Sequence, residues 1–195
     1  LPYRRGLTPP VPGGMPRLFA AFPLPDAARA FVEGVRERLR GVLRGVRWIP
    51  PEHWHLTAKF FGEVPPDRLE AAARITERAA ARAGRLVVSL AAPGGFPDAA
   101  RARVVWVGLD GVPAPMRSAA ALLDRAAPLL GVPREGRPYV PHVTLGRVTR
   151  GRLAVPSAGR SPPSDPFRLP ELVLYESRRG PGGVRHIPRA IVPLA

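Results

Sequence analysis

Residues 55–58 read His-Leu-Thr-Ala, and residues 142–145 read His-Val-Thr-Leu, about half a chain further on. Both tetrapeptides alternate polar and apolar residues, the pattern of a half-buried strand, in which positions i and i+2 share a face. His55 and Thr57 therefore point one way and Leu56 the other; His142, Thr144 and Val143 repeat the arrangement. Each motif follows a proline-rich approach, Pro50-Pro51 and Pro138 to Pro141, and each has a helical pattern upstream. This faint internal repeat predicts two related lobes facing each other, each supplying one histidine and one threonine.

Working outward, Arg17 to Leu24 reads as a buried strand. A helix follows with Asp26 as its N-cap and Ala27, Ala30, Phe31, Val35, Leu39 and Val42 at helical spacing. Val46 to Ile49 is a short strand, and the first motif's strand runs from His55 to Val64. Pro65-Pro66-Asp67 opens a second helix ending near Ala83. Leu86 to Leu90 and Val104 to Leu109 read as paired strands across a Pro/Gly loop. A third helix spans Pro115 to Leu130. The second motif's strand, His142 to Val148, precedes a Pro/Ser/Gly/Arg-rich loop from about Thr149 to Asp165. Two final strands, Phe167 to Ser177 and Val184 to Leu194, flank a hairpin-like Arg178 to Gly183. Helices and strands mix without strict βαβ alternation, which predicts an α+β fold with largely antiparallel sheet.

Of the 195 residues, 45% are hydrophobic, enough for a folded core. Cysteine is absent, which excludes disulfides and thiolate metal sites. No run of about 18 apolar residues and no signal-peptide pattern is found, so the expected setting is cytoplasmic. Residues 1–14 are Pro/Gly-rich and precede Met15; they are read as an extension, non-native or disordered, ahead of a single catalytic domain over 15–195. Thirty Lys+Arg stand against 15 Asp+Glu, a net charge of +15, and Lys59 is the only lysine. A field of this sign favours polyanions such as RNA.

Two imidazoles and two hydroxyls on one surface suit phosphodiester chemistry without a metal. Histidine titrates near neutral pH, so one ring can take a proton from water while the other gives one to a departing ribose oxygen. Threonine hydroxyls can donate to the non-bridging oxygens. A metal site would need further ligands, and neither motif has a His-x-x-x-His neighbour. His53 shares the parity of His55 but reads as a loop or strand-entry residue, and His186 as structural or peripheral. Trp48, Trp54, Phe60, Phe61 and Tyr139 lie near the motifs; any could stack a base, with core packing the commoner use. A non-catalytic RNA-binding module stays open on charge alone.

The paired motifs resemble the 2H phosphoesterase superfamily. Residues 17–25 (Arg-Leu-Phe-Ala-Ala-Phe-Pro-Leu-Pro), 46–64, 137–148 (Arg-Pro-Tyr-Val-Pro-His-Val-Thr-Leu-Gly-Arg-Val) and 171–183 are similar to its RNA 2′,3′-cyclic phosphodiesterase branch, formerly called 2′-5′ RNA ligase. The resemblance spans about Met15 to Leu194. It implies a bilobal fold with two pseudo-symmetric lobes, mainly antiparallel sheets around a central cleft and helices outside. It implies hydrolysis of RNA 2′,3′-cyclic phosphate ends to 2′-phosphomonoesters, with reversible 2′-5′ ligation or 2′-5′ phosphodiester cleavage as related activities. By the same resemblance His55 is the proton donor to the 3′-oxygen and His142 the acceptor that activates water. Thr57, Thr144 and Arg147 hold the phosphate. No cofactor and no obligate protein partner is expected, so the chain is read as a monomer acting on RNA ends or nucleoside cyclic phosphates. His53 and Trp54 replace the usual Asn and Leu, Tyr139 the usual Phe, and His186 falls near a common Tyr.

Overall fold

The computed structural model describes residues 15–156, 162–181 and 183–195. The expected extension over 1–14 lies outside them, as does part of the loop expected over 149–165. Ten strands and three α-helices follow in the order β1 (Arg17–Pro23), α1 (Asp26–Val42), β2 (Val46–Trp48), β3 (His55–Glu63), α2 (Leu69–Ala83), β4 (Leu86–Val88), β5 (Leu90–Phe96), β6 (Val104–Leu109), α3 (Ala114–Ala126), β7 (His142–Val148), β8 (Phe167–Leu169), β9 (Glu171–Gly180) and β10 (Gly183–Pro193). No helix among the described residues is long and apolar enough to cross a membrane.

All strand pairs are antiparallel. The main sheet runs β10-β9-β1-β3-β7-β6-β5, with β2 added to β7, while β4 and β8 form a separate ribbon. One half is β10-β9-β1-β3 and the other is β7-β6-β5 with β2. They meet at β3 and β7, where a single pair, Leu56 opposite Val143, stands in register. Both side chains are fully buried. The helices cover this apolar side and leave the other side open. The halves are interlocked: the chain leaves β1, packs α1 behind β5 and sets β2 on β7 before returning as β3. It likewise leaves β6, packs α3 behind β3 and returns as β7. The α+β, bilobal, antiparallel architecture is as the sequence implied.

Three local expectations are corrected. Helix α1 starts at Asp26 itself: Pro25 occupies the N-cap, and no side chain caps the first turn. Proline's fixed φ and missing N–H suit a helix start, so Asp26 serves the positive end of the helix dipole instead. The segment Leu86–Val88 pairs with Phe167–Leu169, not with β6. The strand beside β6 is Leu90–Phe96, whose Ala-Ala-Pro-Gly-Gly centre reads as a loop. It is a sheet edge, where proline is tolerated, and a bulge between Leu90 and Pro93 absorbs the irregularity. Gly94 is required there: a Cβ would lie 2.5 Å from the indole of Trp106, which covers it. The last hairpin is tighter than expected, with β9 and β10 paired out to Gly180 and Gly183.

On the helix-covered side, Glu176 of β9 accepts from Arg189 Nε at 2.7 Å and also pairs with Arg178. A bulge at Arg189 turns its fully buried side chain inward. Burial alone would raise the Glu176 carboxyl, but hydrogen bonds from Arg178 and Arg189 hold it below its ordinary value. Glu176→Ala takes this carboxylate from the fully buried Arg189 and should cost about 3 kcal/mol. Urea unfolding measures it, and a loss below about 1 kcal/mol would mean that the pair adds little to the β9–β10 hairpin.

Candidate active site

The open face of the sheet is built from the central pair outward. Leu56 and Val143 point into the core, so their neighbours point out: His55 and Thr57 from β3, His142 and Thr144 from β7. Antiparallel register sets His55 beside Thr144 and Thr57 beside His142, leaving the two imidazoles as diagonal neighbours. Such diagonal positions are roughly 7–8 Å apart. That separation leaves room for one phosphate between the rings. All four side chains are half-buried, and neither threonine hydroxyl has a hydrogen-bond partner among the described residues.

Both strands break their alternation at the same place. Ala21 pairs with Thr57 and Ala20 with Lys59, so Ala58 is an extra residue. Trp106 pairs with Thr144 and Val105 with Gly146, so Leu145 is an extra residue. A bulge therefore follows the threonine in each motif and reverses the parity beyond it. Without it, Lys59 would face the site and Phe60 and Arg147 would not. With it, Lys59 turns toward the helices and reaches Asp124 of α3 at 3.0 Å, only 8% exposed. Phe60 and Arg147, five residues past their histidines, come onto the open face. The simple i, i+2 rule puts Arg147 opposite His142; the bulge is what brings them together.

Each histidine rests on an aromatic ring: His55 on Phe19 at 5.0 Å and His142 on Phe96 at 4.8 Å between centroids. The indole of Trp106 lies 6.0 Å from His142, across Gly94 and Gly108. Each imidazole also hydrogen-bonds a carbonyl two residues upstream. Nδ1 of His142 meets the carbonyl of Val140 at 2.8 Å, and His55 bonds the His53 backbone. A carbonyl only accepts, so Nδ1 of His142 carries the proton and its Nε2 presents a lone pair.

Burial dominates the titration of both rings. It pushes His55 down to about 3, with the nearby His186, His53 and His142 adding like charge against the backbone bond that favours protonation. His142 is lowered chiefly by burial and further by Arg147, while the Val140 carbonyl opposes the shift. In the free protein both rings are thereby biased toward the neutral form.

His186 is not peripheral, contrary to the sequence reading. Its ring is 5.3 Å from His55, 4.7 Å from His53 and 4.9 Å from Phe19, and burial then His53 lower it to about 4. Tyr175 completes this aromatic floor, 5.2 Å from Phe19. Of the five aromatics singled out from sequence, Trp54 and Phe61 are core residues, and Trp48 and Tyr139 pack against the core. Phe60, 47% exposed, is the one that stands on the open face. Phe96, Trp106, Tyr175 and His186 reach the site through sheet register, which no local pattern announces. Among the described residues, no three His, Asp or Glu side chains are grouped as they would be around a metal ion.

Known proteins resemble this chain in sequence and fold. The model of the LigT-like phosphoesterases matches the chain twice, over residues 22–106 and 107–186, so the family's own repeat divides the chain between its two histidine motifs. An RNA 2′,3′-cyclic phosphodiesterase of Archaeoglobus fulgidus is 33% identical over 77% of this chain and 83% of its own length. The Escherichia coli protein of the same name is 28% identical over 88% and 93%. A Geobacillus stearothermophilus relative of that name is 29% identical over 82% of this chain, which spans only 51% of that longer protein. Among solved structures, one from Thermus thermophilus superposes with a TM-score of 0.75 at 28% identity, covering 91% of this chain and 97% of that one. Escherichia coli LigT complexed with 3′-AMP gives 0.75 at 27% identity, covering 93% and 99%. With two matched halves, paired His-x-Thr strands and a shared architecture, the chain belongs to the LigT-like phosphoesterase family.

Proposed function

We propose that this enzyme opens 2′,3′-cyclic phosphates at RNA ends to 2′-phosphomonoesters, using His142 as general base and His55 as general acid. The observation that carries this reading is the pair of imidazoles placed diagonally on one open face, each beside an unpartnered threonine hydroxyl. Its relatives are named for this reaction, and a nucleoside monophosphate occupies the Escherichia coli structure.

In the proposed reaction, Nε2 of His142 accepts a proton from water as the oxygen attacks phosphorus. The bond from phosphorus to the 3′-oxygen breaks, and His55 protonates that oxygen. The 2′-ester remains. Thr57, Thr144 and the Arg147 guanidinium donate to the non-bridging oxygens, where negative charge gathers. The anionic phosphate itself supplies charge that raises His55 toward protonation. Substrate and proton thus enter together. With an RNA 5′-hydroxyl attacking phosphorus in place of water and the same 3′-oxygen leaving, the same groups would join two ends through a 2′-5′ linkage.

His55→Ala and His142→Ala should each lower kcat on uridine 2′,3′-cyclic phosphate by about 10²–10⁴-fold. The double variant should fall little further, because the two groups act as a unit. Phosphorus NMR should show a 2′-monoester, and activity should persist in EDTA. A 3′-monoester, or full activity in the double variant, would overturn the assignment.

The pH profile follows from the lowered imidazoles. Productive enzyme carries one proton on the pair, and in the free protein that proton is lost as pH rises through values below the ordinary 6.5. The alkaline limb of kcat/KM should therefore lie below pH 6.5, and that of kcat higher, since bound phosphate raises His55. His186→Tyr removes the nearest like charge and should move the kcat/KM limb upward. A kcat/KM that stays flat from about pH 6 to 8 would contradict this scheme.

A further inference from the structure

We propose that Arg47, beside Arg147, holds a second phosphate: the phosphodiester on the 5′ side of the nucleotide whose cyclic phosphate lies between the histidines. The proposal rests on the hydrolytic reading above and narrows its substrate to an RNA chain end rather than a free cyclic nucleotide.

Strand β2 is three residues long, yet it is fixed firmly on β7. Ile49 N–H donates to the Leu145 carbonyl at 2.8 Å beyond one end, and Thr149 N–H to the Gly45 carbonyl at 2.8 Å beyond the other. The hydroxyl of Thr149 adds a second bond to the same Gly45 carbonyl. Gly146 lets the strands approach: a Cβ there would stand 2.5 Å from Val46 Cγ1 and 3.1 Å from the Arg47 carbonyl. In this register Arg47 lies directly opposite Arg147. The bulge at Leu145 has already put Arg147 on the open face, and its cross-strand partner shares that face.

Like charges directly opposed across an antiparallel pair are destabilising. Here both are exposed, and among the described residues neither has a carboxylate or hydrogen-bond partner. Arginines elsewhere among the described residues have carboxylates beside them: Arg36 and Arg40 have Glu33 and Glu37, and Arg178 and Arg189 have Glu176. An opposed, unrelieved pair held by a clamped strand is a site for an anion. Arg147 shares the open face with His142, five residues along β7; Arg47 is one strand further out.

The ligand's chemistry fixes which anion this is. A nucleotide ending in a 2′,3′-cyclic phosphate has no neighbour on that side, so the nearest other phosphate is on its 5′-oxygen. The two halves also differ at matching positions. The place held by Arg147 in one is held by the exposed ring of Phe60 in the other, with Arg17 over its face at 5.5 Å. An apolar platform on one side of the histidines and paired guanidiniums on the other would orient base and backbone in opposite directions.

The test compares uridine 2′,3′-cyclic phosphate with its 5′-phosphorylated form. The wild-type kcat/KM should favour the 5′-phosphorylated substrate by about tenfold, the worth of one charge-assisted contact. Arg47→Gln should bring that ratio near one. Arg74→Gln, which removes an equal charge on the exposed side of α2, should keep it. Binding of a uridine tetranucleotide ending in a 3′-phosphate, measured across salt concentrations, reads the site without catalysis. Its log–log salt slope should fall by about 0.7 in Arg47→Gln. A wild-type ratio of one, equal losses on both substrates, or an unchanged slope would overturn the second-phosphate site. Failure of the wild type to open either cyclic phosphate would instead overturn the hydrolytic reading, and the salt slope would still decide the role of Arg47.

Discussion

The site depends on one buried contact. Leu56 and Val143 face each other where the two half-sheets touch, and no other residue pair between β3 and β7 stands in register. Because their side chains are driven into the core, the residues on either side are driven out of it. Hydrophobic burial at that seam therefore sets the direction and spacing of both imidazoles and both hydroxyls. Polar groups on an open surface seldom hold a fixed geometry by themselves; here the apolar residues behind them do so.

Around that seam, the two halves do the same things with different residues. Each histidine leans on a phenylalanine, each bonds a carbonyl two residues upstream, and each strand takes a bulge after its threonine. The bulges matter as much as the motifs. They permit one strand to direct its first residues by one parity and its later residues by the other. Lys59 is thereby committed to tying β3 to Asp124, and Arg147 is freed for the open face.

The histidines and threonines were legible because a two-residue period is short-range information, and its repetition made chance improbable. The α+β class was legible from the spacing of apolar runs. What escaped was set by pairing. Leu90–Phe96 looked like a loop because Ala-Ala-Pro-Gly-Gly has little intrinsic strand preference; it is a strand because Trp106 needs glycine beneath it. His186 looked incidental because its partners are more than a hundred residues away. The inward turn of Lys59 and the outward turn of Arg147 depend on bulges, which a regular period cannot reveal. Arg47 had no distinguishing pattern at all until β2 was aligned with β7.

The crossed path of the helices has a consequence for dissection. The helix that follows β1 shields the sheet of the other half, and the helix that follows β6 shields the sheet of the first. A polypeptide divided near residue 106, where the family repeat itself divides, would keep α1 with β5 but would part α3 from β3, and α2 from β9 and β10. Each fragment would then expose apolar sheet that a helix of the other now hides from water. The repeat seen along the chain is thus not a pair of separable units: the two halves fold as one body.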